Sequence, residues 1–389
     1  MEKTKKQRSN RIIAVAGNFP TPKFLERGVF VRNILLEMTR QGAHVDVIAP
    51  VSWVTALKTW CNTSHAVDFA PLRVMRPTIT TIPLRFLDSL KKTGMAFNEA
   101  AMSRAVERSL PRDAQYDFCY AHFLPAGRVA LKPMARRGIP VFLNLGESTP
   151  WIYDGLYDKE AWVKELTAFA GIITVSKRNQ KYLLERNPEL SEKVRYIPNG
   201  VDTTRFKPMD RQACRLKLGL PIDAHIAVFS GRFVVRKGYL KVLDALRHLG
   251  INGIFLGSGS VKLDGPEVLF SGSVVNDDMP QWLNAADVFV LPSLSEGMSN
   301  SILEALACGL PLVVSDLDFN REFLTGDCAM FVDPADPVDI ARGLQKCLEP
   351  AILEAMQKAS VNQAQLYSIE QRIKRINEFV IEIHACQNP

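Results

Sequence analysis

The order of the predicted secondary structure is the feature that most constrains how this chain can fold. Short aliphatic runs alternate along the whole sequence with longer stretches whose apolar residues recur at helical spacing. The runs with the character of buried strands are 12–16, 45–49, 117–121, 140–144 and 171–176 in the first half, and 225–230, 252–257, 287–292 and 312–315 in the second. This alternation is typical of parallel sheets covered by helices on both faces. The sequence therefore predicts an α/β chain with two doubly wound domains.

The chain length agrees with two domains, because 389 residues compare with about 100–200 residues for one domain. A Pro-Asn-Gly sequence at 198–200 interrupts the pattern and marks the boundary. We expect an N-terminal domain over 1–196, a C-terminal domain over 197–367 and a final apolar-patterned helix over 368–389. Periodicity does not show where that helix packs, and packing back onto the N-terminal domain is one alternative.

Cysteine usage and the lack of long apolar stretches narrow the class of protein. The seven cysteines are odd in number and scattered, with no C-x-x-C pair, which argues against a disulfide framework or a zinc site. No stretch approaches the roughly 18 consecutive apolar residues of a membrane-spanning helix. The charged start, MEKTKKQRSNR, has no signal-peptide core. These features predict a cytoplasmic protein.

Charge is distributed unevenly along the chain. Residues 1–196 contain 30 Lys and Arg against 18 Asp and Glu, a balance of +12, whereas residues 197–389 contain 18 against 23, a balance of −5. A basic half favours an anionic partner, and the alternative is a solvated surface. The sequence has no zinc finger and no RNA-binding signature with interleaved aromatic residues, so no nucleic-acid partner is expected.

The helical stretch 84–112 interleaves basic and apolar residues, as a segment lying on a membrane surface would. Its basic residues are Arg85, Lys91, Lys92, Arg104, Arg108 and Arg112, and its apolar residues include Leu84, Phe86, Leu87, Leu90, Met95 and Phe97. We expect peripheral binding to an anionic leaflet. The alternative is that the apolar residues pack into the N-terminal domain while the charges face water.

The sharpest motif is LPSLSEGMSNSILEALACGLP at 291–311. A buried strand is predicted to end at Pro292, and a helix to run from about Ser301 to Gly309, with two carboxylates separated by seven residues, Glu296 and Glu304. The helix N-terminus offers N–H groups that suit a phosphate. The backbone that would cradle it belongs to Gly297, Met298, Ser299 and Asn300. For Glu304 the alternative is a capping box with Ser301.

Two other strand-to-helix loops contain candidate ligand-binding residues. In FSGRFVVRKGYL (229–240), Arg232 and Lys237 suit a diphosphate, although basic loop residues are commonly just solvated. The loop is not a P-loop, and LGSGSV (256–261) lacks the third glycine of a dinucleotide-binding fingerprint. His122 ends a predicted strand, where an α/β sheet has its ligand site, or it is a structural histidine.

The first loop, 17–31, is rich in Gly and Pro and precedes the first long helix. Its Gly28 either permits a close backbone approach to a ligand or simply begins the helix.

Taken together, these motifs resemble those of the retaining, GT-B-fold glycosyltransferases of family 4, over essentially the full length of the chain. The matching pieces are IPNGVD (197–202), GR-x4-KG (231–238), parts of 270–293 and, above all, SEGMSNSILEALACGLP (295–311). The paired-glutamate motif is highly specific in that family. The resemblance implies a GT-B architecture, in which two Rossmann-like domains face a central cleft. The first would bind the acceptor and the second the nucleotide sugar.

The resemblance also implies a role for each candidate site residue of the second domain. Arg232 and Lys237 would hold the donor diphosphate, and Glu296 would face the hydroxyls of the donor sugar. The backbone amides from Gly297 through Asn300 would contact sugar or phosphate. Glu304 would accept hydrogen bonds from the ribose. The strand end at Gly272–Val274 would border the base.

Two residues of the first domain also match the family. His122 corresponds to the histidine near the transferred sugar. Gly28 corresponds to the glycine loop beside the phosphates, although this chain has Arg27-Gly28 where the family often has Gly-Gly.

The expected function is a retaining sugar transfer from a UDP- or GDP-linked donor to a glycan or lipid-linked acceptor, in cell-surface polysaccharide assembly. Neither a metal nor a cofactor is expected, since Arg232, Lys237 and helix N-termini would meet the charge of the leaving diphosphate. The family's favoured mechanism is a same-face substitution in which the leaving phosphate assists proton removal from the acceptor. The alternatives are another enzyme of this fold, an epimerase or a phosphorylase, and a non-catalytic nucleotide-sugar-binding subunit.

Overall fold

The computed structural model describes residues 10–21, 27–53, 56–57, 69–81, 91–148, 150–259, 261 and 263–387. The chain divides into two compact units, which we call the N-terminal unit (Met1–Ile197 with Ile373–Pro389) and the C-terminal unit (Pro198–Arg372). Each unit has its own parallel sheet and its own hydrophobic core.

Nine described strands belong to the N-terminal unit. They are β1 (Arg11–Ala16), β2 (His44–Ile48), β3 (Val51–Ser52), β4 (Arg73–Met75), β5 (Thr78–Ile79), β6 (Phe118–His122), β7 (Val141–Leu145), β8 (Gly171–Thr174) and β9 (Val194–Tyr196). Strands β3 and β5 pair with each other, and the other seven form a parallel sheet in the order β4-β2-β1-β6-β7-β8-β9. The order reverses between β1 and β6, so the carboxyl ends of these two strands mark the crevice where an open α/β sheet binds ligands.

Helices cover this sheet. Because its central strands are buried on both faces, the strand sequences do not alternate between apolar and polar residues. All five residues of β6 and of β7 are buried, as expected for central strands packed on both faces. The described helices of the unit are α1 (Val29–Arg40), α2 (Lys91–Ser109), α3 (Leu124–Ala135), α4 (Lys159–Glu165) and α5 (Lys177–Arg186).

The C-terminal unit contains a six-stranded parallel sheet. Its strands are β10 (Ile226–Ser230), β11 (Asn252–Leu256), β12 (Val268–Gly272), β13 (Val288–Leu291), β14 (Leu312–Ser315) and β15 (Ala329–Val332), in the order β12-β11-β10-β13-β14-β15. Here the order reverses between β10 and β13. The described helices are α6 (Arg211–Leu218), α7 (Tyr239–Leu249), α8 (Met279–Asn284), α9 (Asn300–Ala307), α10 (Asp318–Arg321), α11 (Pro337–Cys347) and α12 (Pro350–Leu366).

The last helix, α13 (Ile369–Gln387), begins in the C-terminal unit, and its residues from Ile373 onward belong to the N-terminal unit. There the ring of Phe379 packs edge-on against Phe142 of β7, with the ring centroids 5.9 Å apart. Arg195, in β9, forms a 2.6 Å ion pair with Glu382. Gly171 in β8 makes room for this packing, because a Cβ atom there would lie 2.7 Å from the Phe142 ring and 2.9 Å from the Phe379 ring.

Among the described residues, no helix is long and apolar enough to cross a membrane. The segment 84–112, predicted to lie on a membrane, is described only in part, since residues 84–90 lie outside the described residues. In α2, Phe97 is 47% exposed, and Arg104 and Arg108 are exposed as well. The six described cysteines are free thiols.

Candidate active site

Two loops meet at the reversal point of the C-terminal sheet. One follows β10 and runs from Gly231 to Gly238, with a short 3-10 turn at Val235–Lys237. The other follows β13 and leads through Glu296 to α9. Because β10 and β13 are parallel neighbours, both loops leave the same edge of the sheet, which is where ligands bind in open α/β domains.

An ion pair joins these two loops. The Lys237 Nζ atom lies 2.6 Å from Glu296 Oε1, and the two side chains are only 12% and 8% exposed. Arg236 donates to the same oxygen across 3.3 Å and also to the Ser295 carbonyl. A buried carboxylate is thus held by two cations, one buried and one half-exposed. Arg236 was not among the predicted residues, because its contact with Glu296 depends on how the two loops fold.

A glycine lets the loops approach this closely. Gly238 has a φ of +74°, and a Cβ atom there would lie 2.7 Å from the Pro292 carbonyl oxygen. The Leu294 N–H donates to the Arg236 carbonyl across 2.8 Å. Any larger residue at 238 would be strained by its own backbone and would push the loops apart.

Arg232 does not join the ion pair. Its side chain is exposed and makes no hydrogen bond or ion pair with any residue that the structure describes. The guanidinium is therefore free to bind an anion at the end of β10.

The loop before α9 is buried at Gly297, Met298 and Ser299, and Asn300 is the first helical residue. The Pro-Asn-Gly sequence at the domain boundary supports this loop, because Asn199 Nδ2 donates to the Met298 carbonyl across 3.0 Å. The amides of the first turn of α9 thus lie beside Glu296, where they can donate to sugar or phosphate oxygens.

The capping-box alternative for Glu304 is wrong. The helix begins at Asn300 with Ser299 as its N-cap, one residue earlier than predicted, so Ser301 lies inside the helix and Glu304 in its second turn. The N-cap makes no side-chain hydrogen bond. A capping box requires the serine at the N-cap position and the glutamate three residues later.

Glu304 is instead half-buried, and its carboxyl group has no hydrogen-bond partner among the described residues. Burial raises the pKa of Glu304 to about 7, although the Arg205 charge acts in the opposite direction. Arg205 itself donates to the Asn276 carbonyl and lies 3.6 Å from Asp277. Hydroxyl groups that donate hydrogen bonds to this carboxyl group would stabilise its charged form, because they replace the hydrogen bonds to water that burial removes.

The predicted base-binding residues lie at the same sheet edge, two strands from β10. Gly272 ends β12, and its carbonyl accepts from the Gly257 N–H across 2.8 Å. A Cβ atom at Gly257 would lie 1.9 Å from the Gly231 carbonyl, so the loops after β10, β11 and β12 are in contact. Val274 follows Gly272 and is half-buried.

In the N-terminal unit, His122 is the last residue of β6 and pairs in register with Asn144 of β7. The Asn144 Nδ2 atom lies 3.3 Å from His122 Nε2 and 3.4 Å from Nδ1. The next residue, Phe123, has φ +72° and ψ 151°. It is the one described non-glycine residue with positive φ, in a region that side chains rarely adopt, and such strain clusters at functional sites.

The structure places the first turn of α1, which follows Gly28, against His122. Gly28 is the N-cap of α1 with φ +65°, and a Cβ atom there would lie 2.2 Å from the Asn18 carbonyl. Phe30, in the same helix turn, has its ring centroid 5.2 Å from that of His122. The close approach to Asn18 is by itself a sufficient structural reason for a glycine at this position.

Glu147 was not predicted, although it lies beside His122. It follows β7, and its Oε1 accepts from the Leu124 N–H across 3.4 Å and from the Tyr153 hydroxyl. Its Oε2 is buried without a hydrogen-bond partner, and burial raises the pKa of Glu147 to about 8. A Cβ atom at Gly146 would lie 3.2 Å from His122 Nε2. The signal that could have found Glu147 is a polar Gly-Glu-Ser sequence directly after a buried strand.

No group of three or more His, Cys, Asp or Glu side chains in the described part of the chain is placed to hold a metal ion. An Asp-x-Asp pattern, a possible metal-binding sequence, is present at 316–318 after β14. Asp316 is paired with Arg321 in an exposed ion pair, and that contact lowers the pKa of the carboxyl group.

A groove of about 820 Å³ lies elsewhere in the C-terminal unit and contains none of the predicted site residues. Its lining includes Cys308 and Gly309, which follow the C-terminal end of α9, together with residues of α6 and α12. The loop with Glu296 precedes the opposite end of α9, about 12 Å away along the helix. The groove and the candidate active site are therefore separate.

Two family models match the chain. The model described as Glycosyltransferase Family 4 matches residues 28–205, and that described as Glycosyl transferases group 1 matches residues 224–350. Together they cover the greater part of both units.

Curated relatives are similar over much of the chain. The putative teichuronic acid biosynthesis glycosyltransferase TuaC of Bacillus subtilis is 29% identical over 79% of this chain and 81% of its own length. The UDP-Gal:α-D-GlcNAc-diphosphoundecaprenol α-1,3-galactosyltransferase of Escherichia coli is 28% identical over 49% of this chain and 54% of its own.

Solved structures show the same fold. Sucrose-phosphate synthase of Thermosynechococcus elongatus superposes with a TM-score of 0.75 at 19% identity, over 97% of this chain and 100% of that one. The HepE protein of Anabaena, solved with UDP and glucose, gives 0.68 at 18% identity over 95% and 98%. The GT-B class predicted from the sequence is thereby confirmed, and the chain belongs to the family 4 glycosyltransferases with the GT-B fold.

Proposed function

We propose that this glycosyltransferase retains the anomeric configuration of a UDP- or GDP-linked sugar as it transfers that sugar to a glycan or lipid-linked acceptor. The observation that carries the proposal is the buried Lys237–Glu296 ion pair at the reversal point of the C-terminal sheet. A nucleotide sugar has neutral hydroxyls next to an anionic diphosphate. Such a ligand can replace both halves of the pair, with hydroxyls donating to Glu296 and phosphate oxygens accepting from Lys237.

The other residues at this edge have matching roles. Arg232 is free to bind a phosphate, and the amides of Gly297 through Asn300 can donate to sugar or phosphate oxygens. Glu304 would accept hydrogen bonds from the two ribose hydroxyls, and Gly272 and Val274 would border the base. The UDP bound in the HepE structure supports a uridine nucleotide as the first donor to test.

Catalysis would depend on stabilising the departing nucleotide diphosphate. Lys237, Arg236 and Arg232 place three cations on one strand–helix loop, and fixed charges in a water-poor site lower a barrier effectively. The leaving phosphate would assist removal of the acceptor proton on the same face of the sugar, and His122 would lie near the transferred sugar. No resident metal is required in this scheme, so we expect EDTA to leave the rate largely unchanged; a strict metal requirement would contradict it.

The acceptor and the location are further parts of the proposal. The names of the relatives refer to teichuronic acid biosynthesis and to a diphosphoundecaprenol-linked sugar, which supports a role in cell-surface polysaccharide assembly. The exposed Phe97 with Arg104 and Arg108 in α2 supports peripheral binding at the cytoplasmic face of an anionic membrane.

Slow donor hydrolysis tests this function without knowledge of the acceptor. The purified protein is incubated with UDP- and GDP-linked hexoses, and ¹H NMR follows the anomeric configuration of the sugar as it is released. We expect hydrolysis of one donor with retained configuration, and loss of that activity in Glu296→Gln. The matched control is Lys241→Ala, which removes an exposed charge one helical turn after Lys237.

Three results would contradict the proposal. Release of the inverted anomer would exclude retention. Interconversion of two nucleotide sugars without an acceptor would identify an epimerase, and tight donor binding without turnover, even with added glycan acceptors, would identify a non-catalytic subunit.

A further inference from the structure

A second group of basic residues lies at the carboxyl edge of the N-terminal sheet. A cavity of about 130 Å³ is formed there by residues that follow three neighbouring strands, namely Gly17 to Thr21 after β1, Ala49 to Ser52 after β2, and Arg76 after β4. Arg27, just before α1, also lines the cavity. The cavity therefore lies at the carboxyl edge of the sheet, on the β1 side of the reversal point between β1 and β6 where such sheets bind ligands.

Arg76 is the unusual member of this cavity, because none of the described residues neutralises its charge. Its guanidinium lies 5.7 Å from the ring centroid of Phe19 and 5.1 Å from that of Phe69. One terminal nitrogen donates to the Pro20 carbonyl. The other, Nη1, is buried and has no hydrogen-bond partner. No carboxylate among the described residues pairs with it.

Arg76 therefore lacks both a hydrogen-bond acceptor for Nη1 and a negative charge beside it among the described residues. Burial lowers the pKa of Arg76, yet a guanidinium stays protonated in proteins. Arg76 is half-buried, and its buried Nη1 donor costs free energy unless an anion accompanies it. The rings and the Pro20 carbonyl fix the orientation of the group without supplying negative charge. The cavity therefore suits an anion that none of its described residues provides.

We infer that the Arg76 cavity binds a phosphate group of the acceptor. This inference rests on the proposed function, because it identifies the acceptor of that reaction as phosphorylated. A guanidinium fork matches phosphate oxygens better than it matches any neutral ligand. The sheet order places β2, under the cavity, two strands from β6, which ends at His122. With about 4.8 Å between strands, roughly 10 Å separates them, so one acceptor can have its phosphate at Arg76 and its sugar near His122 and Glu147.

Binding of inorganic pyrophosphate tests the site directly. Isothermal titration is done on the full chain with and without saturating UDP, which fills the donor site. We expect pyrophosphate to bind the UDP-saturated protein and Arg76→Gln to weaken that binding at least about tenfold, as the loss of a charge-assisted pair would. Arg73→Gln removes an exposed arginine three residues earlier, in β4, and should change the affinity less than about twofold, within the small effect of an exposed charge.

Several outcomes would overturn the inference. If UDP abolishes pyrophosphate binding, the anion site is the donor site. If Arg76→Gln binds pyrophosphate as the wild type does, the cavity is not the site. Should Arg76→Gln fail to fold, Arg76→Lys replaces it, and unchanged affinity in that variant would count against a guanidinium fork. A protein that binds no nucleotide but still binds pyrophosphate through Arg76 would refute the proposed function and leave the cavity supported.

Competition identifies the source of the phosphate. Farnesyl diphosphate should displace pyrophosphate more strongly than glucose 1-phosphate if the acceptor is lipid-linked, and the order should reverse for a soluble sugar phosphate. Failure of both to displace it would refute the assignment to an acceptor.

Discussion

Replacing Lys237 by methionine separates the catalytic and structural consequences of its ion pair with Glu296. Methionine keeps most of the length of the side chain, whose stem passes Gly231, where a Cβ atom would lie 3.6 Å from Lys237 Cδ. Only the charge is lost. Removing one partner of a buried ion pair usually costs about 3–5 kcal/mol of stability. Arg236 remains 3.3 Å from the same Glu296 oxygen, although it is 43% exposed. We therefore expect a loss of only about 1–3 kcal/mol.

The fall in kcat should be larger than the loss of folding stability alone would cause. Fixed donors that stabilise developing negative charge are worth about 2.7–4 kcal/mol each, or roughly 100- to 1000-fold in kcat. Arg236 replaces Lys237 only in part in this role, because its side chain is 43% exposed and also donates to the Ser295 carbonyl. The assay compares kcat and kcat/KM for the hydrolysed donor with the unfolding free energy from urea titration. Lys241→Met, on the exposed face of α7, should change neither by more than about 0.5 kcal/mol.

One result would refute this reasoning. If Lys237→Met loses stability but turns over donor within a few-fold of the wild type, the ion pair only joins two loops. The negative charge of the leaving group would then have to be met by Arg232 or by the helix amides.

Three further predictions concern other parts of the chain. Glu304→Gln should weaken UDP binding about tenfold in calorimetry. The folded pKa of Glu304, about 7, exceeds its unfolded value of about 4.3, so the stability of the wild type should fall as the pH rises between these values. This dependence of stability on pH should be weaker in the variant. Gly238→Ala should lower the unfolding free energy by about 1–3 kcal/mol, since its Cβ atom meets the Pro292 carbonyl; wild-type stability would contradict the assigned loop geometry. Anionic liposomes should co-sediment the protein at low salt and release it at high salt, with weaker binding in Lys91→Glu/Lys92→Glu; equal recovery in the supernatant with neutral and anionic vesicles would exclude a membrane role.

The strands that the sequence predicted are those whose residues are buried on both faces. β1, β6 and β10 are runs of aliphatic and aromatic residues, and a buried parallel strand needs no other signal. The edge strands β4 and β9 were not predicted, and the end of β12 was expected only from the family resemblance. The first two have only three residues each, and β12 is half-buried throughout, so neither length nor burial leaves a clear pattern in their sequences.

The candidate site could be predicted only where one stretch of sequence contains the whole signal. Glu296 and Glu304 belong to one loop–helix segment, so the sequence alone was enough to propose both. Arg236 and Arg76 were not predicted, because their contacts depend on the folded structure. Arg236 contacts Glu296, which lies 60 residues away in the sequence. Arg76 lies in a cavity formed by loops from different strands, and it lacks a carboxylate partner among the described residues. The error over the Glu304 cap has a local cause, since Ser299 and Ser301 both precede the glutamate and a shift of two residues decides which one begins the helix.

The course of α13 has a consequence for synthesis on the ribosome. Residues 373–389 complete the unit that begins at residue 1, yet they are made only after the whole C-terminal unit. At about 5–20 residues per second, roughly 10–40 s separate the emergence of residue 197 from that of the last helix. Until then the Phe142 ring and the groove at Gly171, which Phe379 fills, lack their cover. The nascent N-terminal unit should therefore depend on chaperones for longer than its own length suggests, and a stop codon near residue 370 should leave both units synthesised but only one complete.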